Sequence, residues 1–357
     1  MSSDYWNEAK RQLEICNACR YCEGYCSVFP AISRNQTFNE GTISQLANLC
    51  HDCRGCYYAC QYIEPHDFNL NIPKVMSEIR YETWKKNSWP KGFSTIYDRS
   101  GVIIGGLLTL AIASIIYLAQ NIRPESGEGF YAFISHKTML AVFIPTFLGP
   151  LIIVYLSIQK YWKSIGGGKV HLMDIHATFK SIVEMRNLAG GHGDGCNFEK
   201  KDEYTNSRKW FHQATVLGFL MCFASTSSGT ILHYGFDLQA PYGLFSLPKL
   251  FGVPGGIILC LGTGGLAWLK LKADAHLGRE TTWGGEMAFV LLLFFVSATG
   301  LLLFAFSNSS AVEILLPIHL GSVLCFFLLM PYSKMVHGFY RLAALIKDSS
   351  EIRQNSD

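Results

Sequence analysis

Charge is scarce in this sequence: 16% of its 357 residues are Asp, Glu, Lys or Arg, against 49% hydrophobic. Soluble domains carry about a quarter charged residues, so a wholly soluble chain is a poor fit. Also missing are a glycine-rich flavin or nicotinamide fingerprint set between a strand and a helix and an acid–base constellation for a carbon substrate. A partner must therefore supply any organic chemistry. No signal peptide is expected, because the amino-terminal segment is polar and the first apolar run begins at Gly101. The net charge of +3 needs no nucleic acid; basic loops facing anionic lipid account for it.

What is present after Gly101 is a series of six apolar runs, each of the length a helix needs to cross about 30 Å of hydrocarbon. They cover 101–119, 139–158, 210–232, 254–269, 286–306 and 314–336. The fourth is short and glycine-rich, which suits close helix packing but also an interrupted or re-entrant span. Lys and Arg fall on alternate sides: 11 in residues 1–100, 9 in 159–209, 3 in 270–285 and 4 after Pro331, against Arg123, Lys137 and Lys249 in the opposite loops. Positively charged flanks stay in the cytoplasm, so both termini and the loop 159–209 are expected there.

Eight of the twelve cysteines form two runs, Cys16, Cys19, Cys22, Cys26 and Cys50, Cys53, Cys56, Cys60, each with the spacing C-x2-C-x2-C-x3-C. That is the ferredoxin spacing for four-iron, four-sulfur clusters, in which the fourth cysteine serves the other cluster. By that rule Cys16, Cys19, Cys22 and Cys60 hold one cluster, and Cys50, Cys53, Cys56 and Cys26 the second. The proline that usually follows is replaced by Ser27 and Gln61. Structural zinc uses pairs of ligands and has no need of a third cysteine two residues on; disulfides do not suit a reducing cytoplasm. Cys196, Cys222, Cys260 and Cys325 are isolated, and the last three read as small apolar residues in spans.

A histidine inside a span is costly unless paired or ligating. His212 opens the third run and His233 closes it; His319 and His337 stand near the two ends of the sixth. At 100° per residue, the gap from His319 to His337 returns to one helix face and that from His212 to His233 lands about 60° away. Two facing pairs are thus expected: His212 with His337 on the inner side, His233 with His319 on the outer, each able to clamp a b-type haem or merely to anchor helix ends. His136 is the outer-side fallback. Gaps of roughly 27 and 31 Å along the helix axes make one haem the safer count. The loop Arg186 to Cys196 is rich in glycine and reads as a structural turn or, failing that, a binding loop.

The segments Cys16-Asn-Ala-Cys-Arg-Tyr-Cys-Glu-Gly-Tyr-Cys26, Asn48 to Gln61, Arg186 to Cys196 and Met330-Pro-Tyr-Ser-Lys-Met-Val-His-Gly-Phe-Tyr-Arg341 closely resemble the tricarballylate (or citrate) utilisation protein B family over nearly the whole chain. The resemblance implies a membrane electron carrier of the bacterial inner membrane with two four-iron clusters and haem b. It would reoxidise the flavin of a tricarballylate dehydrogenase on the cytoplasmic side, so that tricarballylate can become cis-aconitate, and pass the electrons to the respiratory chain, quinone being the expected acceptor. The last run also resembles the final span of the nitrate reductase gamma subunit; there the facing span carries histidines ten apart, whereas here Cys222 stands ten after His212. The expected architecture is all-α: a bis-cluster ferredoxin-like domain (1–98), a six-span cytochrome b-like bundle (99–345) and a tail (346–357). Rival readings keep the relay and change the partner oxidoreductase, or make the chain a redox-sensing transporter, although transporters place polar groups at the membrane midplane.

Overall fold

The computed structural model describes residues 2–122, 133–185, 188, 193–198, 203–278 and 284–355. Among these residues the protein is all-α, with thirteen α-helices and no β-strand; an isolated antiparallel bridge joins Cys196 and Thr205. Five helices precede the membrane region: α1 (Ser2–Cys19), α2 (Val28–Arg34), α3 (Glu40–Leu49), α4 (Gly55–Tyr58) and α5 (Ile72–Asn87). Side-chain caps start two of them. The Asn39 side chain accepts from the Thr42 N–H at 3.0 Å and that of Asn71 from the Lys74 N–H at 3.1 Å, each satisfying a donor that the first turn leaves open. Leu13, Ile32, Leu46, Leu49, Met76 and Ile79 form the buried centre of this layer.

Six helices are long and apolar enough to cross a membrane, and the protein is a multi-pass membrane protein by that pattern. They are α6 (Phe93–Ile122), α7 (His136–Ser164), α9 (Ser207–Phe236), α10 (Leu247–Lys272), α11 (Gly285–Ala305) and α12 (Val312–Leu329), with the short α8 (Leu172–Glu184) between α7 and α9. The first begins earlier than its apolar run, and Ser100 (φ −130°, ψ 25°) kinks it just past the boundary expected after residue 98. The glycine-rich fourth run is one continuous helix rather than a re-entrant segment. Its glycines serve close packing: a β-carbon on Gly262 would stand 2.5 Å from the Thr215 nitrogen of α9, and one on Gly218 of α9 would stand 2.5 Å from the Leu259 nitrogen. In lipid, where water no longer drives helices together, such close approach is a main source of association.

Three expectations are corrected at the carboxyl end. The sixth run does not continue to 336. The helix stops at Leu329, a short turn covers Met330–Tyr332, and the chain restarts as α13 (Val336–Gln354). Pro331 lacks the N–H that a continuing helix needs and its ring crowds the preceding turn. The second correction is that residues 346–357 are not a separate tail, since α13 runs through to Gln354 with Asp348 and Ser350 buried. Thirdly, the two expected domains share one core. Ala344 and Leu345 of α13 lie in the hydrophobic centre formed by α1 to α5, Asp348 pairs with Arg34, and Tyr161 of α7 packs on Tyr340 with ring centroids 4.8 Å apart.

Replacing Gly262 by Val is expected to wedge α9 from α10 and cost about 1–3 kcal/mol, read as a lower midpoint of thermal unfolding in detergent. Gly106→Ala, with nothing within 4 Å of the added carbon, should leave the midpoint within experimental scatter.

Candidate functional site

Both cysteine runs begin at the end of a helix. Cys16 and Cys19 close α1, Cys50 caps the end of α3, and the chain then curls through the left-handed residues Arg20 (φ 56°), Asp52 (φ 54°) and Arg54 (φ 66°). Such residues reverse the backbone sharply, which a helix-terminal loop must do to aim successive thiols inward. At the first and last cysteines of the second run an amide two residues on points back at the sulfur: Asp52 N–H to Cys50 Sγ and Tyr62 N–H to Cys60 Sγ, both at 3.4 Å.

Cys60 of the second run stands with Cys16, Cys19 and Cys22 of the first, and Cys26 of the first run stands near Cys50 and Cys53 of the second. Cys16, Cys19, Cys22 and Cys60 line one cavity, with Phe29, Tyr62 and Leu70 as its apolar wall. Burial, then the nearby thiols of Cys22, Cys60 and Cys19, pushes the Cys16 thiol up to about 12, and burial with Cys60 and Cys19 does the same to Cys22. In the other set, burial followed by Cys50 raises Cys26 to about 12, and Cys53 and Cys56 are raised by burial and by Cys26 and Cys50 among their neighbours. Crowded, half-buried thiols favour the proton unless cations stand among them, so these sets suit a cationic guest. Among the described residues no three His, Cys, Asp or Glu side chains converge on one ion position.

The loop read as a turn or a binding loop covers the second set. Arg186, Asn187, Ala189, Gly190, Gly191 and His192 lie outside the described residues, but the Asn197 N–H donates to the Cys53 carbonyl at 2.9 Å and Cys196 Sγ to the Leu188 carbonyl at 2.9 Å. Phe198 is held between Arg54 and Arg208, whose guanidinium carbons stand 4.4 and 4.3 Å from its ring centre. Gly195 has φ +114°, and a β-carbon there would stand 2.2 Å from the Thr205 carbonyl oxygen. The structural turn is the reading this geometry favours.

Of the four histidines, His212 and His337 are brought together, with ring centroids 6.1 Å apart and planes at 85°. An imidazole nitrogen sits about 2 Å from a bound metal and about 1 Å from its ring centre, so two imidazoles on opposite sides of one metal are about 6 Å apart centre to centre. The His337 Nδ1 lies 2.5 Å from the Lys334 carbonyl oxygen, which orients the ring and leaves Nε2 for a ligand. Burial, then Arg341, His212 and Lys334, holds the His337 imidazole well below its usual range, hence neutral and able to ligate.

The expected outer pair is not formed. Phe219 of α9 and Phe326 of α12 are in contact, 5.9 Å between ring centroids; going outward from there, His233 is fourteen residues away and His319 only seven. At 1.5 Å per residue the two histidines differ in depth by about 10 Å. His233 instead packs on the fallback residue His136, 4.5 Å between centroids and too close for a metal between them, and His136 Nε2 meets the Tyr234 hydroxyl at 2.7 Å. The His319 Nδ1 lies 3.1 Å from Thr299 Oγ1, with its ring over Gly300.

Sequence reasoning passed over two arginines. The Arg208 Nη1 donates to the Asp52 carbonyl at 2.6 Å, and Arg341 donates to the Cys50 carbonyl at 2.8 Å through Nη2 and to the Asn48 carbonyl at 3.3 Å through Nε. Each stands four residues, one helical turn, from a histidine of the close pair. That spacing was the available signal.

Residues 100–357 match the family described as Citrate utilization protein B, and residues 9–86 its Fer4-like domain. The chain belongs to the citrate utilization protein B family. One relative, the Citrate utilization protein B of Escherichia coli, is 38% identical over 352 residues, covering 97% of this chain and 93% of its own length. No solved structure matches. All eight clustered cysteines lie within the Fer4-like match, which supports an iron–sulfur role for this family member.

If Gly195 must be glycine for the loop to close, Gly195→Val should loosen residues 193–198. Mass spectrometry of alkylated peptides should then find Cys196, buried in the parent, modified under native conditions.

Proposed function

We propose that this protein is an electron carrier that reoxidises the reduced flavin of a partner dehydrogenase, of the tricarballylate dehydrogenase type, and passes the electrons to the quinone pool of a bacterial inner membrane. The observation that carries the reading is the 6.1 Å pair His212 and His337, on helices whose Arg208 and Arg341 reach the second cysteine run. Cys16, Cys19, Cys22 and Cys60 would hold one four-iron cluster, Cys50, Cys53, Cys56 and Cys26 the other, and His212 and His337 one haem b. These groups supply one-electron chemistry when bound. The ring spacing supports a single haem, with His233 and His319 left out of ligation.

The residues arrange an order of use. Cys19 is exposed and Tyr21 beside it is 68% exposed, so the first set opens outward toward a docking flavoprotein. The second set is touched by the Cys196 to Phe198 loop through Asn197 and is tied by Arg208 and Arg341 to the helices that carry the histidine pair, which would make it the inner of the two. Cysteine-rich loops on the cytoplasmic side, where the lysine and arginine count places them, would meet a soluble partner there. The Escherichia coli relative's name ties it to citrate utilization, in keeping with a partner that acts on a tricarboxylate.

His212→Ala or His337→Ala is expected to abolish most of the reduced-minus-oxidised cytochrome b spectrum; an unchanged spectrum would remove the haem assignment. Cys60→Ser should alter the paramagnetic signal of the cluster shared with Cys16, Cys19 and Cys22, and damage confined to the other cluster would refute the crossed sets.

A further inference from the structure

The close histidine pair and the second cysteine run are joined by two polar arms of similar design. On α9, Arg208 stands one turn before His212 and donates to the Asp52 carbonyl at 2.6 Å. Arg341 stands one turn after His337 on α13 and donates to the Cys50 carbonyl at 2.8 Å. The two carbonyls flank His51, whose Nδ1 lies 2.8 Å from the Leu49 carbonyl oxygen, so the peptide from Cys50 to Asp52 is held at both ends by the helices that carry the histidines. Arg208 is braced in turn by its cation–π contact with Phe198, and Arg341 by its second acceptor, the Asn48 carbonyl at 3.3 Å.

We propose that Arg208 and Arg341 are positioning residues that set the distance and the driving force for electron passage from the second cysteine set to the iron between His212 and His337. The inference rests on the relay reading above. The step served is the loss of one electron by the cluster held by Cys26, Cys50, Cys53 and Cys56 and its gain by the haem iron, with no bond made or broken and no proton required. Two features make the arms more than braces. A charged donor on a carbonyl of the ligand loop draws electron density from the adjacent thiolate, and a cation close to a cluster favours its reduced, more negative form, which raises its potential. Each arm also gives a covalent and hydrogen-bonded route of one helical turn from histidine to ligand loop. Direct bonds to the main chain hold that route at a fixed length.

The test uses the full-length protein with its cofactors, in detergent or nanodiscs. For the double variant Arg208→Gln/Arg341→Gln, iron, acid-labile sulfide and haem contents are first compared with the parent. The midpoint of the second cluster is then followed by paramagnetic resonance during a redox titration, and haem reduction by a reduced free flavin is followed by stopped flow. The expected result is full cofactor content, a second-cluster equilibrium shifted about tenfold toward the oxidised form, about 59 mV for one electron, and slower haem reduction, because the lost hydrogen-bonded route outweighs the stronger donation that a lower cluster midpoint gives. Arg341→Lys, which keeps the charge but loses the two-acceptor fork, should recover most of the midpoint and only part of the rate. If the double variant loses its cluster, the single glutamine variants carry the test, each expected to show the same changes at smaller size. An unchanged midpoint and rate with cofactors intact would overturn the proposal. Absence of a cytochrome b signal from the parent would instead overturn the relay reading, while the cluster midpoint would still report on the arginines.

Discussion

Pro331 cannot donate the backbone hydrogen bond that would carry α12 onward, and its ring crowds the turn before it. Here α12 ends at Leu329, and the chain turns through Met330–Tyr332 and restarts at Val336 as a helix aimed into the cysteine-bearing layer. From that break follow the placement of His337 against His212, of Arg341 on the Cys50 carbonyl, of Leu345 in the amino-terminal core and of Asp348 on Arg34. A straight helix through 331 would carry these side chains away from the cysteine runs. The soluble layer and the membrane bundle share one core because α13 belongs to both.

Charge at this junction is managed in two ways. Glu286 at the start of α11 pairs with Lys270 of α10 and, at 2.9 Å, with Lys334, so the turn leading to His337 is tied to two membrane helices. Arg80, Arg208 and Arg341 donate instead to the carbonyls of Ala47, Asp52 and Cys50. A carbonyl satisfies a guanidinium's hydrogen bonds without neutralising it, so positive charge remains close to the thiol-rich loop. Buried cations are costly when nothing offsets them; beside a set of thiolates they gain an offset and the thiolates become easier to form.

The Gly195 loop and the α9–α10 contact show how small residues set distances here. Both sites bring main chain to within a distance that no side chain allows, one to cover the second cysteine set and the other to pack α9, which carries His212, tightly on α10. Glycine-rich segments marked both regions in the sequence, but which of the 33 glycines makes the close approach depends on what packs against it.

Much was legible in the residues themselves, wherever the cause is local. The length of an apolar run decides whether a helix can cross a membrane, so the six spans were visible in the composition; the repeat of four cysteines pointed to an iron–sulfur role before any coordinate. Depth and facing are not local. His319 and His233 share the expected angular pattern, yet about 10 Å of depth separates them, because level is set by how α9 and α12 pack at Phe219 and Phe326. The pair His212 and His337 was expected for a reason the structure corrects: the two histidines meet not because the sixth helix is straight over its whole length but because it breaks. Sequence periodicity determines which residues share a helix face; only the packing of one helix on another, and the point where a helix ends, decides which faces meet.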